Sequence, residues 1–301
     1  MPELPEVETV RRGLKPALAG ARLLHVEQRR PDLRFPLPDR FAQRLEGARV
    51  QAVERRAKYL LAPLDTGQTW VTHLGMTGRF LVERGAAAET PGVLASPTSP
   101  PLVGAAQFTH AAATEAKHAH VVVETDAGAR VTFFDARRFG YMGLIPTAEL
   151  PSHPWFAGLG PEPLGPGFTT AHLHAAFAGR KQAVKTLLLD QRIVAGLGNI
   201  YVVEALHRSG IHPEAVAGTL SRPRTARLVE AIRNVLQEAV KAGGSTIRDY
   251  ADAEGLSGLF QHSWAVYGRE EAPCIRPRCT GAVRRVVQGG RSTFFCPRCQ
   301  R

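Results

Sequence analysis

The sequence predicts a multidomain α+β protein, and three observations carry that reading. An amphipathic segment over residues 5–18 is followed, up to about Ile145, by short apolar runs rich in β-branched and aromatic residues. From Thr169 onward the apolar spacing becomes helical. All four cysteines then fall in the last 28 residues, around a stretch that alternates like a β-hairpin.

A chain of 301 residues with 44% hydrophobic content can bury a sizeable core, divided over two or three domains. No internal repeat is present. No apolar run approaches the roughly 20 residues that span a bilayer. Glu3, Glu6 and Glu8 stand where a secretory leader would be basic and then apolar, so a soluble, intracellular protein is expected. Lys plus Arg number 38 against 27 Asp plus Glu, a net +11 with neutral histidines. That balance points to an anionic partner, most commonly nucleic acid, although a basic surface also serves solubility.

The first eight residues, Met1-Pro-Glu-Leu-Pro-Glu-Val-Glu8, admit two readings. One is a plain helix start, with proline and acids complementing the helix dipole. The other needs Met1 to be removed, leaving Pro2 with a free secondary amine. An N-terminal amine has a pKa of about 7.7–8.0, so part of it is uncharged at neutral pH. It can then form a Schiff base with an aldehyde-like carbon, and Glu3 and Glu6 stand close enough to move its protons. Val7, Val10, Leu14, Ala17 and Leu18 form the apolar face of the helix that follows.

In the β-rich part, the runs Tyr59–Ala62, Thr69–Leu74, His120–Glu124 and Arg130–Phe134 read as strands. Lys58 enters the first of them, as a surface lysine or a functional one. Met76 lies between Gly75 and Gly78, a core residue or a wedge for a base stack. Asp135-Ala-Arg-Arg-Phe-Gly140 ends a strand with Arg137, suited to base edges, and Phe139, able to fill the space of a displaced base. Residues 85–116 carry no Lys or Arg and no apolar period, and read as a long inserted loop outside the chemistry.

A proline-rich stretch from Pro146 to Gly167 suits a linker. Helical spacing covers 169–178, 181–190, 199–208 and about 222–241, and the second and third pieces resemble a helix-turn-helix. Asn199 follows Ala195-Gly-Leu-Gly198, a glycine-preceded helix start whose open amides suit phosphate. Asn199 as an ordinary N-cap is compatible with that. Arg180, Lys181 and Lys185 add charge nearby, or simply form a solvated face.

Cys274 and Cys279 are separated by four residues and Cys296 and Cys299 by two, with sixteen between the pairs. Four thiolates close a tetrahedral zinc site, which is then structural. Four free thiols would leave a core-poor segment with little to fold it. Residues 282–287 and 292–295 make the hairpin, with a Gly289-Gly290 turn and Arg291 beside it.

MPELPEVETVRRGL at the start, RRAKYLL at 55–61, HLGMTG at 73–78 and DARRFG at 135–140 together resemble the bacterial formamidopyrimidine-DNA glycosylase family. So do LGPEPL at 159–164, GLGNIY at 196–201, GIHP at 210–213, VYGR at 266–269 and GRSTFFCPRC at 290–299. The matches run in order along nearly the whole chain outside 85–116. The resemblance implies an N-terminal β-sandwich with flanking helices over residues 1–147 and a linker over 148–167. A helix–two-turn–helix domain over 168–265 and a zinc finger over 266–301 with one zinc complete it. It further implies a monomer in the bacterial cytosol, with duplex DNA in the cleft between the two halves.

The activity implied is base-excision repair of oxidised purines, chiefly 8-oxoguanine and ring-opened formamidopyrimidines, with strand cleavage by β- and δ-elimination. By the resemblance Pro2 is the nucleophile, Glu3 the acid/base group, Glu6 its support, and Lys58 an aid to elimination. Met76, Arg137 and Phe139 match the residues that fill the void after flipping. His118, Lys181, Asn199 and Arg291 match the phosphate-contacting set, and Arg291 also a proton donor for the second elimination. The chain departs from the family in its C-x4-C spacing, where C-x2-C is usual, and in Ala136, where proline is usual. A lesion-capping loop is expected within 243–260. The competing readings are an endonuclease VIII-like enzyme for oxidised pyrimidines and a non-catalytic DNA-binding zinc protein. Leu4, Met76, Arg137 and Phe139 speak against the first, and the intact Pro2, Glu3, Glu6 and Lys58 against the second.

Overall fold

The computed structural model of this chain describes residues 2–84, 116–245 and 258–301. Almost all of the 85–116 insertion and most of the expected 243–260 loop lie outside those residues.

Helix α1 (Leu4–Leu18) starts where the Glu6 carboxylate accepts the Glu3 N–H at 2.8 Å, satisfying one of the amides a helix leaves open. It buries Val7, Val10, Leu14, Ala17 and Leu18, the face its spacing predicts, together with Leu4. Gly20, with φ +83°, turns the chain into β1 (Leu23–Gln28). A short helix α2 (Phe41–Leu45), not foreseen in the sequence, buries Phe41 and Leu45 in the core.

The strands β2 (Glu54–Arg56), β3 (Tyr59–Pro63), β4 (Gln68–His73) and β8 (Tyr141–Pro146) form one antiparallel sheet in that order. Strand β1 joins β6 (Ala119–Thr125), β7 (Ala129–Phe134) and β5 (Arg79–Arg84) in the other, ordered β1-β6-β7-β5. Val26, Val121 and Phe133 from one sheet meet Leu60, Trp70 and Leu144 from the other, with Val7, Val10 and Leu14 of α1. This is the β-sandwich that was expected.

The helical part holds α3 (Thr170–Phe177), α4 (Val184–Leu188), α5 (Asn199–Ser209) and α6 (Arg222–Lys241). Helix α4 is shorter than its spacing suggests. Ala183 pairs with Val216 and the Gln182 carbonyl accepts the Ala217 N–H, so the backbone there is extended. Helix α6 packs on both α5 and α1 and so joins the helical core to the sandwich.

Strands β9 (Arg284–Gln288) and β10 (Arg291–Phe295) form the C-terminal hairpin. Gly289 and Gly290, both left-handed at φ +60° and +72°, make its two-residue turn. Val283 and Phe294 pack against Val203 and Val266, and the buried Glu204 accepts the amides of Ala265, Val266 and Tyr267. Among the described residues, no helix is long and apolar enough to cross a membrane.

Candidate active site and nucleic-acid interface

Pro2 and Glu3 are buried at the joint between sandwich and helices. The Leu4 N–H donates to the Gly196 carbonyl at 3.1 Å, and the Ile200 N–H donates to Glu3 Oε1 at 3.1 Å. A Cβ on Gly198 would lie 2.2 Å from the Glu3 carboxyl carbon, so only glycine leaves room for that carboxylate. The α5 start thus differs from the open amides the sequence suggested: Glu3, drawn by the positive helix end, occupies one of them. Glu6 accepts the Glu3 N–H, the Ser245 N–H at 2.8 Å, and the Tyr201 hydroxyl.

Burial pushes the Glu3 carboxyl up to about 7, with the Lys58 charge opposing and Glu6 reinforcing the rise. Its Oε2 has no hydrogen-bond partner among the described residues. Glu3 is therefore a buried acid able to give or take a proton near neutrality.

Lys58 is only 7% exposed. It occupies, with Ala57, the two-residue turn between Arg56 and Tyr59, where Ala57 adopts φ +52°. Glu162 holds that turn: its Oε1 accepts the Ala57 N–H at 2.6 Å and Arg56 Nη1 at 2.8 Å, and Arg55 pairs with it at 2.7 Å. Burial lowers the Lys58 pKa, the Glu3 charge counteracts, and the Arg291 charge adds to the lowering. Lys58, His73, Gln191 and Arg291 line one cavity of about 280 Å³. Burial, with the Lys58 and Arg34 charges, lowers His73 to about 4, so it is neutral there.

Arg291 is exposed beside the glycine turn of the hairpin. Asn199 ties that hairpin to α5 through Nδ2 to the Ser292 carbonyl at 2.9 Å. Lys185, which the sequence offered as surface charge, is 1% exposed and donates to Thr293 Oγ1 at 2.6 Å. Burial and the Arg291 charge lower its pKa to about 8. Nothing in its flanking residues marks it as buried, because the hairpin that covers it lies about a hundred residues on. Lys181 is exposed on the approach to α4.

A second group lies on the sandwich. Met76 and Phe139 are 41% and 40% exposed, large apolar side chains held out into solvent. Arg137 is exposed with its guanidinium 4.6 Å above the Phe139 ring. Arg34, Arg137, Arg138 and Phe139 line an open cavity of about 480 Å³. His118 is half-buried at the entry to β6.

The four cysteine sulfurs lie within 4.8 Å of one another, with Cys274–Cys299 at 3.8 Å and Cys279–Cys296 at 3.7 Å. A tetrahedral zinc with Zn–S bonds of about 2.3 Å sets its sulfurs about 3.8 Å apart, so the set fits one structural zinc despite its C-x4-C spacing. His207 Nε2 lies 3.3 Å from Cys274 Sγ.

Comparison with known proteins follows the same division. Residues 1–142 match the model of the formamidopyrimidine-DNA glycosylase N-terminal domain, 159–251 that of the formamidopyrimidine-DNA glycosylase H2TH domain, and 273–301 a zinc finger found in FPG and IleRS. A formamidopyrimidine-DNA glycosylase of Phenylobacterium zucineum is 59% identical over 301 residues, covering 100% of both chains. The crystal structure of the MutM (Fpg) protein from Thermus thermophilus is 39% identical with a TM-score of 0.80, covering 99% of this chain and 98% of that one. A Lactococcus lactis Fpg mutant, solved in complex with a Fapy-dG containing DNA, is 30% identical over 100% of both chains with a TM-score of 0.82.

Proposed function

The chain belongs to the formamidopyrimidine-DNA glycosylase family, and from that premise we propose that it excises oxidised purines from duplex DNA through Pro2 and then cleaves the strand. The observation that carries the reading is the Glu3 carboxylate, buried at the start of the chain, held by Ile200 and raised to about 7.

Met1 must first be removed, because until then the Pro2 nitrogen is an amide. A base inside a duplex is out of reach, so the nucleotide is extruded at a cost of a few kcal/mol. Met76, Arg137 and Phe139 fill the space it leaves, with Arg137 against the orphaned cytosine. The Pro2 amine bonds to C1′ while the glycosidic bond breaks, its electron pair leaving with the base. Glu3 takes the proton released from the amine and delivers one to O4′ as the C1′–O4′ bond opens, and the resulting iminium draws electrons for the eliminations. Loss of the C2′ proton expels the 3′ phosphate, and a second elimination expels the 5′ phosphate. Lys58 and Arg291, on one cavity wall, supply positive charge to the departing phosphates. His118, Lys181 and Asn199 hold the flanking backbone, Asn199 also fixing the hairpin that carries Arg291. The working division is 1–147, 168–265 and 266–301 around the 148–167 linker. The enzyme acts in the bacterial cytosol, where its DNA is.

Borohydride reduction on a duplex carrying 8-oxoguanine opposite cytosine tests this. Protein shown by mass spectrometry to begin at Pro2 should form a covalent adduct, and protein retaining Met1 should not. Absence of the adduct with the trimmed protein would overturn the proposal.

A further inference from the structure

The three exposed residues proposed to fill the void are mounted on two separate loops, and one buried carboxylate joins those loops. Asp135 is fully buried. Its Oδ1 accepts the Thr77 hydroxyl at 2.5 Å and its Oδ2 accepts the Gly140 N–H at 2.7 Å. The Thr77 oxygen in turn accepts the Arg137 N–H at 3.1 Å. The residue after Met76 is thereby bonded to the backbone that carries Arg137 and to the carboxylate that holds the end of the Phe139 turn.

The backbone of Asp135 is fixed as firmly as its side chain. Its N–H donates to the His118 carbonyl at 3.0 Å, and its carbonyl lies 2.8 Å from His120 Nε2, which must carry the proton to bond there. The two loops also touch directly. Gly75 is left-handed at φ +63°, and a Cβ there would lie 2.3 Å from the Gly140 nitrogen.

The hydrogen-bond roles leave no slack. A carboxylate only accepts, so the Thr77 hydrogen must point at Asp135, which frees the Thr77 oxygen for Arg137. Parting a base stack pushes back on whatever enters it, with a cost of a few kcal/mol per step. Side chains about 40% exposed are only partly held by packing, so much of their stiffness has to come from the backbone beneath them. Ala136 supplies none of the stiffness that a proline would give this turn.

We propose that Asp135 and Thr77 are positioning residues for lesion extrusion, a buried brace that makes Met76, Arg137 and Phe139 act as one rigid wedge and sets Arg137 against the opposite base. The proposal rests on the reading that those three side chains fill the void.

The test compares single-turnover excision of 8-oxoguanine opposite cytosine and opposite adenine with strand cleavage at a preformed abasic site. The abasic site needs no paired base to be displaced, so it reports the chemistry without most of the extrusion cost. Asp135→Asn places a donor where only an acceptor fits, and Thr77→Val removes the hydroxyl at nearly constant volume. Both should slow excision opposite cytosine by about tenfold or more and shrink the preference for cytosine over adenine, as misplaced reacting groups do. Abasic cleavage should fall by no more than about twofold, because a missing base leaves little to extrude. Thr77→Ser keeps the hydroxyl and should restore both values. Equal losses on the two substrates, or no loss, would overturn the brace. Met76→Ala and Arg137→Ala are run alongside. If they shift the ratio and the brace variants do not, the brace alone fails; if they too leave it unchanged, the void-filling reading fails and the brace with it. Should Asp135→Asn not fold, the Thr77→Val and Thr77→Ser pair decides the matter.

Discussion

The two candidate groups are built in opposite ways. Around Pro2 the candidate side chains other than the exposed Arg291 are buried, and they are drawn from distant parts of the chain: Glu3 meets Ile200, Glu6 meets Tyr201 and Ser245, and Lys58 shares a cavity with Arg291. At the Met76 edge the working side chains are exposed and the burial belongs to their support, Asp135. The difference suits the tasks proposed for them. Proton transfer needs titration shifted toward neutrality, which burial provides, whereas a wedge needs to reach into another molecule.

The largest expected effect breaks the buried side of this contrast. Glu3→Gln should cut excision by about 10²–10⁴-fold, the usual range for a general acid or base. The same change should stabilise the fold at alkaline pH. The carboxyl is raised to about 7 in the folded chain from an ordinary 4.5, so folding favours its protonated form. That stability is present below about pH 4.5 and lost as pH rises through about 7, leaving above it a cost on the order of 3 kcal/mol. Melting curves should therefore favour Glu3→Gln at pH 8 and show little advantage at pH 4. No gain at pH 8 would mean the carboxyl is less strained by burial than the geometry implies.

Removing zinc should act next most strongly, and unevenly. The hairpin has a small core of Val283 and Phe294 packed on Val203 and Val266, so the metal must hold much of it. Chelation should release about one zinc per chain, as four thiolates close a single site. It should also weaken binding to damaged duplex while the sandwich keeps its melting transition. Retained binding in metal-free protein would show that Asn199 and Lys185 suffice to hold Arg291 in place.

The smallest effect sharpens the exposed side. Met76→Ala should slow excision from paired duplex while shifting stability by no more than about 0.5 kcal/mol, as expected for a residue outside the core. A large drop in melting temperature would make Met76 a packing residue instead.

Much of this was legible in the residues. The apolar face of α1, the glycine turn of the hairpin and the four cysteines all act through neighbours close in sequence, where periodicity and spacing report directly. Lys185 and the first turn of α5 were not legible in that way. Whether a lysine is buried, or a helix amide free, depends on a partner far along the chain: Thr293 in one case and Glu3 in the other. Helix α4 shows the same limit, the start of its expected 181–190 span claimed by a bridge from Ala183 to Val216 that no local spacing announces.

The bond between Glu3 and the Ile200 amide has a consequence for how the protein is made. The ribosome delivers Glu3 nearly two hundred residues before the Ile200 amide that fixes its carboxylate. Until that amide has been made, the Glu3 carboxylate lacks the Ile200 N–H that holds it.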